Sequence, residues 1–193
     1  PDVSGVVVSV FPYLFAYGSN GFLTWSAPNN PNSFAVLDGG GGPNGARVTS
    51  SKIVKGLAIR GGGGNSPSAL FWALDSVVRA TFVGGDQIFQ FDTLSDQSSI
   101  LSSSSPIEYD GIFYWCGIDR FLMFNGVVRE IPNQLNLNWF FDNLNYAQQQ
   151  KVFAFKVPRF GEIWWCFPYG SATECTHAVV FNIREQTWYD TIL

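Results

Sequence analysis

One histidine and three cysteines are the residues of this chain best suited to nucleophilic or metal chemistry. His177 stands in Glu174-Cys175-Thr176-His177, two places after Cys175. A zinc site needs about four such ligands. Only two good ones sit together here, and no second cluster completes them. The segment therefore reads as a strand-entry histidine beside a loop cysteine, with no metal. Cys116 and Cys166 end apolar runs, where a thiol behaves as a small hydrophobe. As nucleophiles they would need a base in contact and an oxyanion hole, and nothing in the sequence suggests either. An odd cysteine count with no Cys-x-x-Cys pair predicts reduced thiols, no disulfide and assembly in a reducing cytoplasm.

Paired carboxylates are the next chemistry to weigh. Glycoside cleavage needs two acids about 5–10 Å apart. Asp110, Asp119, Asp142, Glu162 and Glu174 all lie near turns, and the expectation is turn-capping and ordinary surface acids. The aromatic pairs Tyr114-Trp115, Trp139-Phe140 and Trp164-Trp165 could line a sugar cleft. Within strands, however, half of each pair must face inward, and packing between sheets is the plainer use. Gly40 to Gly45 matches Gly-x-Gly-x-x-Gly, but Pro43 interrupts it and a β-like segment follows. A phosphate site needs a helix N-terminus at that place. Arg47, Lys52, Lys55 and Arg60 are interleaved with glycine and serine, as on a solvated strand face, and no basic run suits a phosphate backbone. No catalytic, cofactor-binding or metal-ligating residue is assigned, and no enzymatic activity is expected.

What positions these residues is a repeat. Trp25, Trp72, Trp115 and Trp165 fall 47, 43 and 50 residues apart, each ending a short apolar run. Gly111-Ile112-Phe113-Tyr114-Trp115-Cys116 and Gly161-Glu162-Ile163-Trp164-Trp165-Cys166 share a Gly-x-x-x-Trp-Cys frame. A period of roughly 40–50 residues with several strands per unit marks a β-propeller blade. Strands are predicted at 6–11, 13–17, 22–25, 53–59 and 87–91. Residues 70–82 form a long bent strand or a hairpin about Asp75-Ser76. A meander of 112–116, 120–124 and 127–131 turns at Gly117 and at Asn125-Gly126, a strong hairpin signal. A last blade occupies 151–157, 162–167, 177–183 and 187–192. Ser95 to Ser105 reads as a polar surface connection, and Gly39–Gly45 and Gly61–Gly64 as glycine loops. Leu137, Phe140, Phe141 and Leu144 follow helical spacing, with Asn136 as a candidate N-cap.

The fold expected is thus all-β, with propeller-like antiparallel blades and a short inserted helix across residues 1–193. The count is about four blade-like units, where propellers need roughly four to eight to close. The chain opens on Pro1 without Met, and the expectation is an incomplete part of a larger propeller. Only 13% of residues are charged, against 17% aromatic, 18 phenylalanines and 20 glycines. Since soluble domains usually keep about a quarter of their residues charged, partner subunits are expected to cover much of the surface. No apolar run reaches the about 18 residues of a membrane span.

The second half carries a resemblance. Asn138-Trp139-Phe140-Phe141-Asp142-Asn143-Leu144-Asn145, Lys151-Val152, Pro158-Arg159-Phe160-Gly161-Glu162-Ile163-Trp164-Trp165, Glu174-Cys175-Thr176-His177-Ala178-Val179-Val180 and Trp188-Tyr189-Asp190 are similar to segments of β-propeller tail proteins of short-tailed bacteriophages, the tail nozzle or packaged-DNA stabilisation class. The likeness covers about residues 107–193 and carries no catalytic residue. It implies a virion protein of the tail, made in the host cytoplasm, in a ring of identical subunits, commonly a hexamer. Such a ring sits beside portal, adaptor or tail fibre proteins, and its channel retains and conducts DNA without reading its sequence. A net charge of −4 suits passage of DNA better than its capture. The competing expectation is a carbohydrate-binding propeller or receptor-binding module of the tail.

Overall fold

A computed structural model describes residues 6–35, 45–60, 66–132 and 137–193. The glycine segments at 39–44 and 61–64 and the candidate cap Asn136 lie outside the described residues. Among the described residues, sixteen strands form four antiparallel sheets of four strands each, every one a simple meander. They divide into two compact units, residues 1–99 and 100–193.

The first unit holds two sheets. One comprises β1 (Val6–Val10), β2 (Tyr13–Tyr17), β3 (Phe22–Trp25) and β4 (Gly45–Arg47). The other comprises β5 (Ile53–Ala58), β6 (Ser68–Ala73), β7 (Val77–Phe82) and β8 (Phe89–Ser95). Residues 70–82 resolve as the β6–β7 hairpin, and β8 starts later and runs further than the alternating pattern at 87–91 suggested. The core of this unit is aromatic. Phe15 meets Trp25, Phe71 and Phe89 at centroid distances of 5.8, 5.5 and 4.7 Å. The Tyr17 hydroxyl accepts a hydrogen bond from the Gly56 amide N–H at 2.9 Å.

The second unit holds the sheet of β9 (Ile107–Tyr109), β10 (Ile112–Cys116), β11 (Phe121–Phe124) and β12 (Val128–Glu130), and the sheet of β13 (Phe153–Val157), β14 (Glu162–Phe167), β15 (His177–Asn182) and β16 (Thr187–Ile192). Strand β9 was not foreseen, although its signal was present. Asp110 and Gly111 have φ of 51° and 78°, the paired left-handed conformation that an Asp-Gly hairpin turn supplies. Gly161 (φ 73°) occupies the corresponding turn before β14. The shared Gly-x-x-x-Trp-Cys frame is therefore a turn glycine followed by a second strand. Trp72, Trp115 and Trp165 all lie on the second strand of their sheets and are fully buried, whereas Trp25 lies on a third strand. Its place in the period is coincidental.

Helix α1 (Leu137–Asn143) and a 3-10 helix at Tyr146–Lys151 join the two sheets of this unit. Lys151 belongs to that turn, so β13 begins two residues later than the sequence indicated. Phe140 is buried and packs 4.6 Å from Phe167 and 5.2 Å from Phe121. Phe141 is only half-buried but also lies against this core.

The serine-rich segment corrects the sequence reading. It is only in part a surface connection: Asp96, Gln97 and Ser104 are exposed, but Leu101, Ser102 and Ser105 are all 2% exposed or less. The Ser102 hydroxyl donates to the Val152 carbonyl, and the Ser105 hydroxyl donates to the Ser102 and Cys116 carbonyls. The Ala154 amide donates to the Ser104 carbonyl, and the Trp165 indole N–H donates to the Ser105 carbonyl. The small hydroxyls of Ser102 and Ser105 let the backbone enter the core there because each satisfies a carbonyl.

Two outcomes are expected. Phe140→Ala should cost ~3–5 kcal/mol in chemical denaturation; an unchanged midpoint would mean that α1 does not plug the core. Ser102→Ala should cost ~1–3 kcal/mol by orphaning a buried carbonyl, which the same measurement reads.

Candidate functional site

The residues singled out for chemistry are dispersed through the second unit. His177 opens β15 half-buried, with Nδ1 3.0 Å from the Thr176 hydroxyl. Its ring stacks on Tyr169 at 4.3 Å and 28°. Trp139 and Phe167 flank it, each at 6.2 Å. The Cys175 thiol donates instead to the Lys151 carbonyl at 3.3 Å. Cysteine and histidine thus face different partners. Among the described residues no group of three or more His, Cys, Asp or Glu side chains could hold a metal.

The other two thiols are held away from reactivity by burial. Cys116 is fully enclosed, its Sγ donates to the Gly117 carbonyl, and desolvation keeps its pKa well above the ordinary value. Desolvation likewise pushes Cys166 up to about 11. A thiolate is the reactive form, so neither is poised to attack.

Four of the five carboxylates behave as expected. Asp110 forms the β9–β10 turn, and Asp119 pairs with Arg120 at 2.9 Å, whose hydrogen bond lowers its pKa. Asp142 is exposed, and Glu174 pairs with Lys151. Glu162 is different. It starts β14 at only 9% exposure. Its two oxygens accept from the Tyr189 hydroxyl at 2.9 Å and from the Trp164 indole N–H at 3.1 Å. No salt bridge to Glu162 is present among the described residues, and the two neutral donors satisfy it.

The pleat splits each aromatic pair. Tyr114 turns into the core shared by the two sheets, and Trp115 turns to the opposite face of β10. Trp165 enters that core, and Trp164 points outward. In the third pair, on α1, Phe140 is buried and Trp139 half-buried beside His177.

Trp164 belongs to the feature that stands out most. Register places Phe155 beside Trp164, Trp164 beside Val180, and Val180 beside Tyr189 on one face. Phe153 lies two residues from Phe155 and shares that face. Phe153, Phe155 and Tyr189 are 40%, 37% and 38% exposed. The Phe153, Phe155 and Trp164 rings line up at 6.3 and 5.4 Å, tilted by less than 30°. Tyr189 meets Trp164 edge-on at 6.5 Å. This row of rings, with Glu162 among them, is an apolar sheet face open to solvent. Contiguous exposed apolar surface of this kind marks contact with another body.

No family model matches this chain, and no curated protein does.

Two measurements follow. Desolvation, with the Glu162 carboxylate adding at Tyr189, pushes Tyr114 and Tyr189 up to about 12 from 10.0. Because the folded state holds these protons more tightly, their stabilising contribution is complete below pH 10. It should fall as pH rises through about 10 to 12, and phenolate absorbance should show two tyrosines ionising last. In thiol labelling, half-buried Cys175 should react first, with Cys116 and Cys166 following only on unfolding. Fewer than three thiols under non-reducing conditions would contradict this.

Proposed function

We propose that the chain is a structural component of a phage tail, a nozzle or head–tail junction protein. It works as one copy in an oligomeric ring around the DNA channel, and its sheets act as propeller blades. The observation that carries this reading is the bare aromatic face of β13–β16. Within each unit, an equivalent apolar face is covered by the neighbouring sheet. A face bearing Phe153, Phe155, Trp164 and Tyr189 calls for the same kind of cover. In a ring, a neighbouring subunit supplies it. The second support is the likeness of residues 107–193 to nozzle-class tail proteins.

The electrostatics agree with a conduit. A chain of net charge −4 repels a phosphate backbone weakly, which favours retention and passage over gripping. The low share of charged residues fits a surface mostly covered by copies of itself and by portal, adaptor or fibre proteins. Among the described residues no helix is long and apolar enough to cross a membrane. No turnover is assigned: the thiols, the histidine and four of the five acids are engaged in packing, turns or local pairs, and Asp142 is exposed.

The test is subunit stoichiometry. The purified chain, or particles containing it, should yield a closed ring of defined copy number. Phe155→Asp combined with Tyr189→Asp should release monomers whose circular dichroism is unchanged. A chain that stays monomeric at every concentration and leaves virions infectious and DNA-filled when deleted would overturn the proposal.

A further inference from the structure

Asparagine is thermolabile because the next backbone nitrogen can attack its side-chain carbonyl carbon. A following glycine makes that attack easiest, since it puts no Cβ in the way. Three such pairs occur, Asn20-Gly21, Asn44-Gly45 and Asn125-Gly126. Asn44 lies outside the described residues, and the other two pairs stand in opposite surroundings.

At Asn20-Gly21 the chain is clamped. Gly21 is buried, and a Cβ placed on it would lie 2.0 Å from the Thr49 carbonyl oxygen. The Gly21 carbonyl accepts from the Val48 amide at 2.8 Å. Asn20 holds ψ at 13°, and ring closure needs a rotation about that bond which the enclosed glycine cannot follow. At Asn125-Gly126 the chain is open. The pair lies in the β11–β12 hairpin, where Phe124 faces Val128 across three exposed residues. Gly126 has φ of 112°, and a Cβ there would meet no atom within 4 Å. Neither the Asn125 carboxamide nor the Gly126 amide makes a hydrogen bond among the described residues. Asp110-Gly111 is an equally open turn, but its Gly111 amide donates to Glu108 Oε1 at 2.7 Å, and an aspartate has no ammonia to release.

We propose that Asn125 is a deamidation site built into the β11–β12 turn. The Gly126 nitrogen gives up its proton and bonds to Cγ of Asn125. The carboxamide C–N bond breaks, its nitrogen takes that proton, and ammonia leaves. The cyclic imide then adds one water. Opening at Cγ gives aspartate, and opening at the α-carbonyl gives isoaspartate, whose backbone runs through the side chain. Either product adds a negative charge, and isoaspartate also adds a backbone atom to a three-residue turn. That atom disturbs the Phe124–Val128 register and loosens β12, an edge strand paired with β11 alone. The chemistry does not depend on ring assembly.

Trypsin isolates the site, because Arg120 and Arg129 bracket Phe121–Arg129, whose one asparagine is Asn125. The folded chain is held in warm, mildly alkaline buffer and sampled over time. That peptide should lose ammonia and gain water, and isoaspartyl methyltransferase should label part of the product. Conversion should quicken as pH rises, since the attacking nitrogen must shed its proton. Fragment ions from peptide 1–47 should show Asn20 intact over the same period. Asn125→Gln should abolish the conversion with amide spectra still native. Asn125→Asp, measured fresh, adds the charge without the extra backbone atom. Amide exchange in β12 should therefore be faster in aged protein than in this variant. An unchanged Phe121–Arg129 peptide would overturn the proposal, as would equal conversion at Asn20. Equal β12 exchange in aged protein and in the fresh variant would overturn the loosening.

Discussion

Strands buried on both faces are the constraint from which the rest of this structure follows. Successive side chains of a strand point to opposite sides. In β10, Phe113, Tyr114, Trp115 and Cys116 are nonetheless all 2% exposed or less. Strand β6 is buried from Ala69 through Ala73, and β15 from Ala178 through Phe181. A sheet with such a central strand cannot stand alone with one face in water. It needs cover above and below, which is why short meanders pack face to face and why each unit has an almost wholly apolar core. The first sheet shows the contrast. Strands β2 and β3 alternate buried and half-buried positions, as one-sided cover requires.

The same constraint gives the bare face of β13–β16 its meaning. Cys166, Ala178 and Val180 on that side are buried among larger neighbours, yet the aromatic side chains around them still meet solvent. Glu162 fits this setting: Tyr189 and Trp164 satisfy its carboxylate at the base of the row, so the face carries a negative group without an exposed ionic network. A surface that is apolar, ordered by ring contacts and internally satisfied in its one charge is built to be covered.

Buried polar groups are handled in two ways. In the Ser102–Ser105 segment the buried hydroxyls of Ser102 and Ser105 each bond a carbonyl, and a polar stretch becomes part of the core. Satisfied groups of this kind fasten the sheets together. Trp25 in the first unit differs, with a buried indole N–H and no partner.

Much of this was legible in the sequence. Alternating and continuous apolar runs located most strands because burial requires that pattern, and Asn125-Gly126 marked a turn because few residues accept its backbone angles. The helical spacing of Phe140, Phe141 and Leu144 located α1 for the same reason. Two strands, β4 and β9, are too short for periodicity to register, although Asp110-Gly111 announced the second of them. Composition misled at Ser102 and Ser105, since serine is as much at home satisfying buried carbonyls as facing water. Tertiary structure alone decided which side of each aromatic pair met the core, that Glu162 would be enclosed by Trp164 and Tyr189, and that Gly21 would be closed in while Gly126 stood open. Local sequence sets which residues alternate, but the partner across a sheet or a seam comes from residues tens of positions away, and only packing brings them together.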